Sequence, residues 1–187
     1  MTYQLKQISV RQETPSLWRV AFNHLPINLV DHETLRDLDQ VTRDLAASSD
    51  AKVAIFESEN PDFFLAHWDT SSVPSPSPGS PEPSWMDIGL RLAQMPVISI
   101  ALIRGRARGI GSEIALGCDM RFASIENAIL GQPEVGVGLV PGGGAMERLP
   151  ILIGRARALE IVVGADDFDA TTAERYGWIN RALPDSS

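Results

Sequence analysis

The sequence predicts a single α/β domain over residues 1–187, and three features support this prediction. Short apolar runs of strand composition alternate along the chain with segments whose apolar residues recur at helical spacing. The length of 187 residues suits one domain with its own core. Hydrophobic residues make up 44% of the chain and charged residues 21%, the usual balance of a globular protein.

The first part of the chain predicts a β-hairpin followed by an amphipathic helix. Residues 3–10 and 17–23 have strand composition and flank a turn over 13–16. Asp31 is a suitable N-cap for the next segment, in which leucine and valine recur at helical spacing over residues 35–45. Charged residues stand between them, so we expect this helix to lie on a core.

The middle of the chain changes character after a buried strand predicted over residues 53–56. Proline and serine dominate residues 71–84 (SSVPSPSPGSPEPS), and no apolar period continues through them. We expect a mobile surface loop here rather than a domain boundary. It is either an insertion without chemistry or a lid that becomes ordered when a ligand binds.

The remaining segments continue the alternation of strands and helices. The predicted helices are 85–93, 111–117, 145–149, 155–163 and 170–176, and the predicted strands are 97–103, 121–124, 128–131 and 178–183. A glycine-containing turn over 104–109 and a loop over 132–144 separate some of these elements.

Charge and cysteine content exclude several functions. Sixteen basic residues face 24 acidic ones, and the net charge of −8 argues against a nucleic-acid or anionic-membrane binder. Cys118 is the single cysteine, so neither an intrachain disulfide nor a cysteine metal cluster is expected. The three histidines form no metal-binding pair, the start of the chain has no apolar core of signal-peptide length, and no apolar run approaches the length of a membrane span. We therefore expect a cytoplasmic protein without a metal site.

Two glycine-rich segments each contain a carboxylate. Residues 104–113 lead from a strand end into a helix start and finish at Glu113, and residues 131–144 contain Glu134. Glycine lets a ligand approach the main chain, and a helix N-terminus offers N–H groups that can hold an oxyanion. Burial in such a segment raises the pKa of a carboxyl group towards that of a general acid or base. Taken alone, each Glu also fits a surface residue that interacts with a helix dipole.

The same two segments resemble the crotonase superfamily, the enoyl-CoA hydratase/isomerase family. Residues 95–123 are similar to its central signature, and residues 131–149 to its second signature, including Gln-Pro-Glu and Pro-Gly-Gly-Gly. Residues 25–29 (LPINL) and 63–69 (FFLAHWD) match its N-terminal patterns. The resemblance covers nearly the whole chain and implies a crotonase-like (ClpP/crotonase) α/β fold, a spiral of ββα units.

The resemblance implies an acyl-CoA lyase or isomerase, most closely an enoyl-CoA hydratase. By position, Glu113 and Glu134 are the catalytic glutamates, one activating water for attack at Cβ and the other delivering a proton to Cα. The backbone N–H groups of Trp68 and Ile110 form the oxyanion hole for the thioester carbonyl. The other positions implied to bind substrate are Ala66, His67, Asp69, Gly109, Pro133 and Gly142.

The resemblance also has implications for ligands and assembly. Coenzyme A is expected as part of the substrate, with no tightly bound cofactor, and the chain is expected to form a homo-oligomer, a trimer or hexamer. His67 and Ile110 stand where the family usually has glycine, and Trp68 is bulky. His67 either assists proton transfer or serves only in packing or at the surface. Family members continue beyond the position of Ser187 into a C-terminal helical region, so we expect a short member without it.

Several alternatives remain open. The altered donor positions and the short C-terminus suggest a non-catalytic crotonase-like module that binds acyl-CoA or a protein partner. An acyl-CoA hydrolase or decarboxylase of the same family is a further alternative, and isomerases of the family can act with one glutamate at the position of Glu134. Arg104, Arg106 and Arg108 form either a solvated edge paired with acids or a site for coenzyme A phosphates or an acidic acyl group.

Overall fold

The computed structural model describes residues 2–72 and 82–186, and β-sheets form its frame. The strands are β1 (Thr2–Gln4), β2 (Ile8–Thr14), β3 (Leu17–Phe22), β4 (Val53–Ser58), β5 (Phe63–Leu65), β6 (Ile98–Ile103), β7 (Arg106–Arg108), β8 (Met120–Ser124), β9 (Ile129–Gly131), β10 (Asp167–Asp169) and β11 (Arg181–Leu183). The helices are α1 (His32–Ala47), α2 (Trp85–Gln94), α3 (Ile110–Gly117), α4 (Ala145–Ile153), α5 (Arg155–Gly164) and α6 (Ala170–Tyr176), with a 3-10 helix at Glu134–Val137.

The described strands form a seven-stranded and a four-stranded sheet. Their orders are β1-β2-β3-β4-β6-β8-β11 and β10-β9-β7-β5. Strands β4, β6 and β8 run parallel in the larger sheet, while their successors β5, β7 and β9 run parallel in the smaller one. A helix follows each of these pairs, namely α2, α3 and α4. The predicted α/β spiral of ββα units is therefore confirmed.

Helix α1 begins where the sequence predicts it, after Asp31. The Asp31 carboxylate accepts a hydrogen bond from the Thr34 N–H at 2.9 Å, and the Thr34 hydroxyl accepts one from the Asp31 N–H at 3.1 Å. This reciprocal capping box satisfies two donors at the helix start. The apolar face of the helix, including Leu38 and Val41, is fully buried in the core.

Some predicted boundaries are wrong, chiefly where strands are very short. The strand predicted over 3–10 is two strands, β1 and β2, because the chain turns where the Leu5 N–H donates to the Ile8 carbonyl. Strand β7 lies inside the turn predicted over 104–109, and β5 and β10 have no predicted counterpart. Each has three residues, too few to show an alternating pattern.

Most of the proline- and serine-rich loop predicted over 71–84 lies outside the described residues, since 73–81 are not among them. On its C-terminal side, the Glu82 carboxylate pairs with the Arg36 guanidinium of α1. Ser84 then caps α2 by accepting a hydrogen bond from the Met86 N–H at 3.1 Å. Among the helices of the described residues, none is long and apolar enough to cross a membrane.

Candidate active site

A cleft of about 840 Å³ lies between the N-terminus of α3 and the segment 131–144. Its walls come from the chain after β5, the β7–α3 junction and that segment. The lining residues are His67, Trp68, Thr70, Arg108, Gly109, Ile110, Glu113, Pro133, Glu134, Val137, Leu139, Gly142 and Gly143. Eight of the ten site residues predicted from the sequence line this cleft, and Ala66 and Asp69 do not.

Glu113 lies in the first turn of α3, where its side chain is only 2% exposed. Its Oε1 accepts hydrogen bonds from the backbone N–H groups of Gly143 at 2.8 Å and Ala145 at 3.0 Å. Burial raises the pKa of this carboxyl group, and the two N–H donors oppose that effect by favouring the charged form. The carboxylate is thus fixed in place while retaining a tendency to hold a proton.

Glu134 begins the 3-10 helix and is half-buried in the same cleft. Burial is the main cause that raises the pKa of its carboxyl group, and the negative charge of Glu113 raises it further. Its own backbone N–H and the charge of Arg108 act in the opposite direction. Each carboxyl group therefore titrates above its ordinary range, and the two interact electrostatically.

Gln132, which was not among the predicted site residues, forms hydrogen bonds with the Glu134 carboxylate. It is fully buried, and with its amide nitrogen towards Glu134 it donates to the two carboxylate oxygens at 3.1 and 3.3 Å. Its amide oxygen then accepts a hydrogen bond from the Ser112 hydroxyl at 3.1 Å. Gln132 is the glutamine of the Gln-Pro-Glu motif, so the sequence contained this residue beside Glu134. The motif alone, however, does not indicate the orientation of its side-chain amide.

Gly109 allows Glu134 to approach the start of α3. Its φ of 54° lies in the left-handed region that favours glycine. A Cβ at this position would lie 2.9 Å from Oε1 of Glu134 and 3.8 Å from the Cβ of His67. A larger residue would therefore be strained and would collide with the carboxylate.

Two backbone N–H groups in the cleft wall have no hydrogen-bond acceptor among the described residues. Ile110 is the first residue of α3, so its N–H lies before the first helical hydrogen bond. Trp68 forms a parallel β-bridge with Val30. In this bridge the Val30 N–H donates to the His67 carbonyl at 2.9 Å and the Asp69 N–H donates to the Val30 carbonyl at 2.8 Å, whereas the Trp68 N–H donates to no described residue. Both groups are thus available to an external acceptor.

The residues around Trp68 have distinct positions. Ala66 is buried, and Asp69 accepts hydrogen bonds from the Ser71 N–H and hydroxyl in the turn that follows it, so neither side chain contributes to the cleft lining. His67 is exposed, and its Nδ1 lies 2.8 Å from the Trp68 carbonyl oxygen. A carbonyl only accepts, so Nδ1 carries the proton in this contact.

The three alternating arginines do not form one binding face. Arg108 lines the cleft, and its Nε lies 2.8 Å from Oδ1 of Asp167. Arg104 pairs with Asp185 at 3.8 Å, outside β7, and Arg106 stacks over a phenylalanine ring at 5.7 Å. Two of the three are thus paired with acids, and Arg108 alone of the three faces the cleft.

Comparisons with known proteins agree with this architecture. A family model described as enoyl-CoA hydratase/isomerase matches residues 13–187. The short-chain-enoyl-CoA hydratase of Clostridium acetobutylicum is 32% identical over 166 residues, which are 86% of this chain and 62% of that protein. This chain therefore spans less than two thirds of that relative's length.

Solved structures are similar over the whole chain. A candidate enoyl-CoA hydratase from Streptomyces avermitilis gives a TM-score of 0.90 at 46% identity, with 100% of this chain and 69% of that one covered. An enoyl-CoA hydratase structure from Geobacillus kaustophilus gives 0.87 at 28% identity, with 100% and 71% covered. The fold, the order of the two glycine-rich motifs and these matches establish that the chain belongs to the enoyl-CoA hydratase/isomerase family of the crotonase superfamily.

Proposed function

We propose that this protein adds water to the α,β double bond of an enoyl-CoA thioester, with Glu113 and Glu134 as the acid–base pair. The observation that supports this most is that two carboxyl groups from separate segments enter one cleft, each with a raised pKa. Mutual repulsion opposes ionisation of both groups, which favours a state of the pair in which one carboxyl group holds a proton. One group then acts as base towards water while the other supplies a proton to Cα.

The unpaired N–H groups of Trp68 and Ile110 provide the electrostatic part of the proposal. Addition of water at Cβ moves negative charge onto the thioester oxygen, as an enolate. Two fixed N–H donors stabilise that charge, and the partial positive charge of the α3 N-terminus adds to the effect. Neither donor requires a particular side chain, which is consistent with tryptophan and isoleucine at these positions.

The remaining cleft residues suit a coenzyme A thioester of short acyl chain. Val137 and Leu139 provide apolar contact for an acyl group, while Arg108 and the imidazole of His67 are polar groups in the same cleft. The Clostridium relative is named for short-chain substrates. We therefore propose crotonyl-CoA as the first substrate to test, with no tightly bound cofactor required, since coenzyme A arrives as part of the substrate.

We also propose that the protein is a homo-oligomer, with a trimer as the first candidate. Large apolar side chains lie exposed beside the cleft and on α4, among them Val137 at 73%, Val140 at 73% and Ile151 at 85%. Burial of such a surface against another copy is favourable. Sedimentation equilibrium tests this, because a trimer has three times the 20.3 kDa of the chain and a monomer contradicts it.

Substitution of Glu134 tests the proposed function. Glu134→Gln keeps the side-chain shape but removes its proton transfer, so we expect hydration of crotonyl-CoA to fall by about 10²- to 10⁴-fold. Binding of the thioester, measured by calorimetry, should change little. Equal activity in wild type and variant rejects the assignment of Glu134, and absence of turnover in the wild type for every thioester tested rejects the hydratase proposal.

Double-bond isomerisation is a second candidate, favoured by the surroundings of Glu113. One oxygen of Glu113 is already engaged by two backbone N–H groups, whereas Glu134 is held by an amide side chain. Isomerisation needs one residue to move a proton, and Glu134 suffices for it. Glu113→Gln separates the two reactions, since it should abolish hydration and spare isomerisation of a 3-enoyl thioester.

A further inference from the structure

Trp85, the first residue of α2, is linked to the carboxylate site by two successive hydrogen bonds. Its indole Nε1 donates to the carbonyl oxygen of Gly143 at 2.6 Å. The N–H of the same Gly143 donates to Oε1 of Glu113 at 2.8 Å. Trp85 is only 8% exposed, so the indole N–H reaches Gly143 in a water-poor environment.

The Trp85 ring also packs against the helix that carries Glu113. A Cβ added to Gly117 of α3 would lie 3.0 and 3.1 Å from two ring carbons of Trp85. A Cβ added to Gly89, one turn further along α2, would lie 3.6 Å from a carbon of the same ring. Glycines of its own helix and of α3 thus make room for the indole, and this packing restricts the direction of its N–H.

Gly143 needs such an anchor because of its sequence context. It is the middle of three successive glycines, residues 142–144, and glycine has the widest backbone freedom of any residue. Its N–H fixes Glu113, but this bond alone leaves the rest of the residue free to rotate. The indole bond to its carbonyl holds Gly143 from the other side.

We propose that Trp85 is a positioning residue for Glu113, acting through Gly143. This inference rests on the proposed function, in which Glu113 takes part in proton transfer. Loss of the indole N–H leaves the Gly143 carbonyl buried without its donor and releases one of the two anchors of that residue. The N–H bond from Gly143 to Glu113 then weakens, and the carboxylate is less well stabilised and less well placed.

Trp85→Phe tests the proposal, because phenylalanine keeps an aromatic ring but removes the N–H. Trp18→Phe is the matched control: the indole of Trp18 is 6% exposed and donates to the Pro15 carbonyl at 3.2 Å, in the remote hairpin. The readout is the titration of Glu113 by carbon NMR in protein labelled at glutamate carboxyl groups. The Glu113 signal is assigned by its disappearance in Glu113→Gln.

We expect Trp85→Phe to raise the pKa of Glu113 by about 0.5 to 1 pH unit, and Trp18→Phe to leave it unchanged. The other charged groups that affect Glu113 stay in place, namely Glu147 and Arg148 of α4 and Glu134 across the cleft. An unchanged or lowered pKa in Trp85→Phe overturns the proposal. This titration needs no substrate, so it tests the positioning role of Trp85 even if the protein has no hydratase activity.

Kinetics give a second, independent readout. Trp85→Phe should lower kcat for hydration by about 5- to 10-fold with KM within about twofold of wild type, whereas Trp18→Phe should leave both constants unchanged. An unchanged kcat in Trp85→Phe contradicts action through Glu113. If Trp85→Phe does not fold, replacement of Trp85 by 3-benzothienylalanine, which has sulfur in place of the N–H, takes its place in both measurements.

Discussion

Gly143→Ala is the substitution that most sharply tests how Glu113 is held. Gly143 does not lie in the left-handed region, so alanine is allowed by the backbone. A Cβ at this position would overlap Oε2 of Glu113 and would lie 2.8 Å from its Cδ and 2.7 Å from Cδ1 of Ile110. The new methyl group thus overlaps sterically with the Glu113 carboxylate and with Ile110, which also lines the cleft.

The expected magnitude follows from these contacts. Ordinary van der Waals contact with a Cβ begins near 3.4 Å, so the Cδ of Glu113 must retreat by about 0.6 Å, the difference from 2.8 Å. A displacement approaching 1 Å at a reacting group costs up to about 10²-fold in rate. We therefore expect kcat to fall by about 10- to 100-fold, with KM nearly unchanged. Overpacking of this kind also lowers the free energy of unfolding by about 1–3 kcal/mol.

The assay is steady-state hydration of crotonyl-CoA, accompanied by urea unfolding of each variant. Gly164→Ala is the control, because it lies at the end of α5, outside the cleft, and its Cβ would approach only Asp166 Oδ2 at 3.5 Å. It should keep the wild-type kcat. A Gly143→Ala protein with kcat within threefold of wild type would refute the inference that rigid placement of Glu113 matters.

Three further predictions concern stability and the oxyanion donors. Because burial raises the pKa of Glu134, the contribution of this side chain to the free energy of unfolding falls as the pH rises above the ordinary carboxyl value. The Tm of Glu134→Gln, measured relative to that of wild type, should therefore be higher at about pH 7 than at about pH 4. An equal Tm difference at the two pH values contradicts this. Ile110→Pro removes an N–H at the first helical position, where proline is tolerated, and should lower kcat about 10²- to 10³-fold, whereas Ile110→Ala, which keeps the N–H, should lose far less. Asp31→Ala removes the cap bond to Thr34 and should cost about 1 kcal/mol in urea unfolding; no change contradicts the capping assignment.

Most of the larger sheet and α1 were predictable because their patterns are local. The cap at Asp31 and the periodic leucines of α1 lie next to each other in the sequence, and strands of six residues show their apolar character directly. The smaller sheet was not predictable in the same way. Strands β5, β7 and β10 exist because neighbouring strands pair with them, and three residues do not indicate that partner in advance.

In the candidate site, too, some residues could be predicted from local sequence patterns, whereas the contacts between them could not. Glu113 and Glu134 could be singled out because each lies in a glycine-rich segment that resembles a family motif. The contacts that hold them depend on the fold: Trp85 meets Gly143 across 58 residues of sequence, and the orientation of the Gln132 amide depends on Ser112 in α3. Such contacts follow from the packing of α2, α3 and the segment 131–144, which no single motif describes.

Product analysis by mass spectrometry, with crotonyl-CoA in water enriched in oxygen-18, tests the proposed hydratase activity most directly. We expect the wild type to form a product heavier by one labelled water, with the label at Cβ, and Glu134→Gln to form it about 10²- to 10⁴-fold more slowly. An unchanged mass and a single unchanged chromatographic species for crotonyl-CoA and every other thioester tested would contradict it, and would favour a crotonase-like module that binds without catalysis.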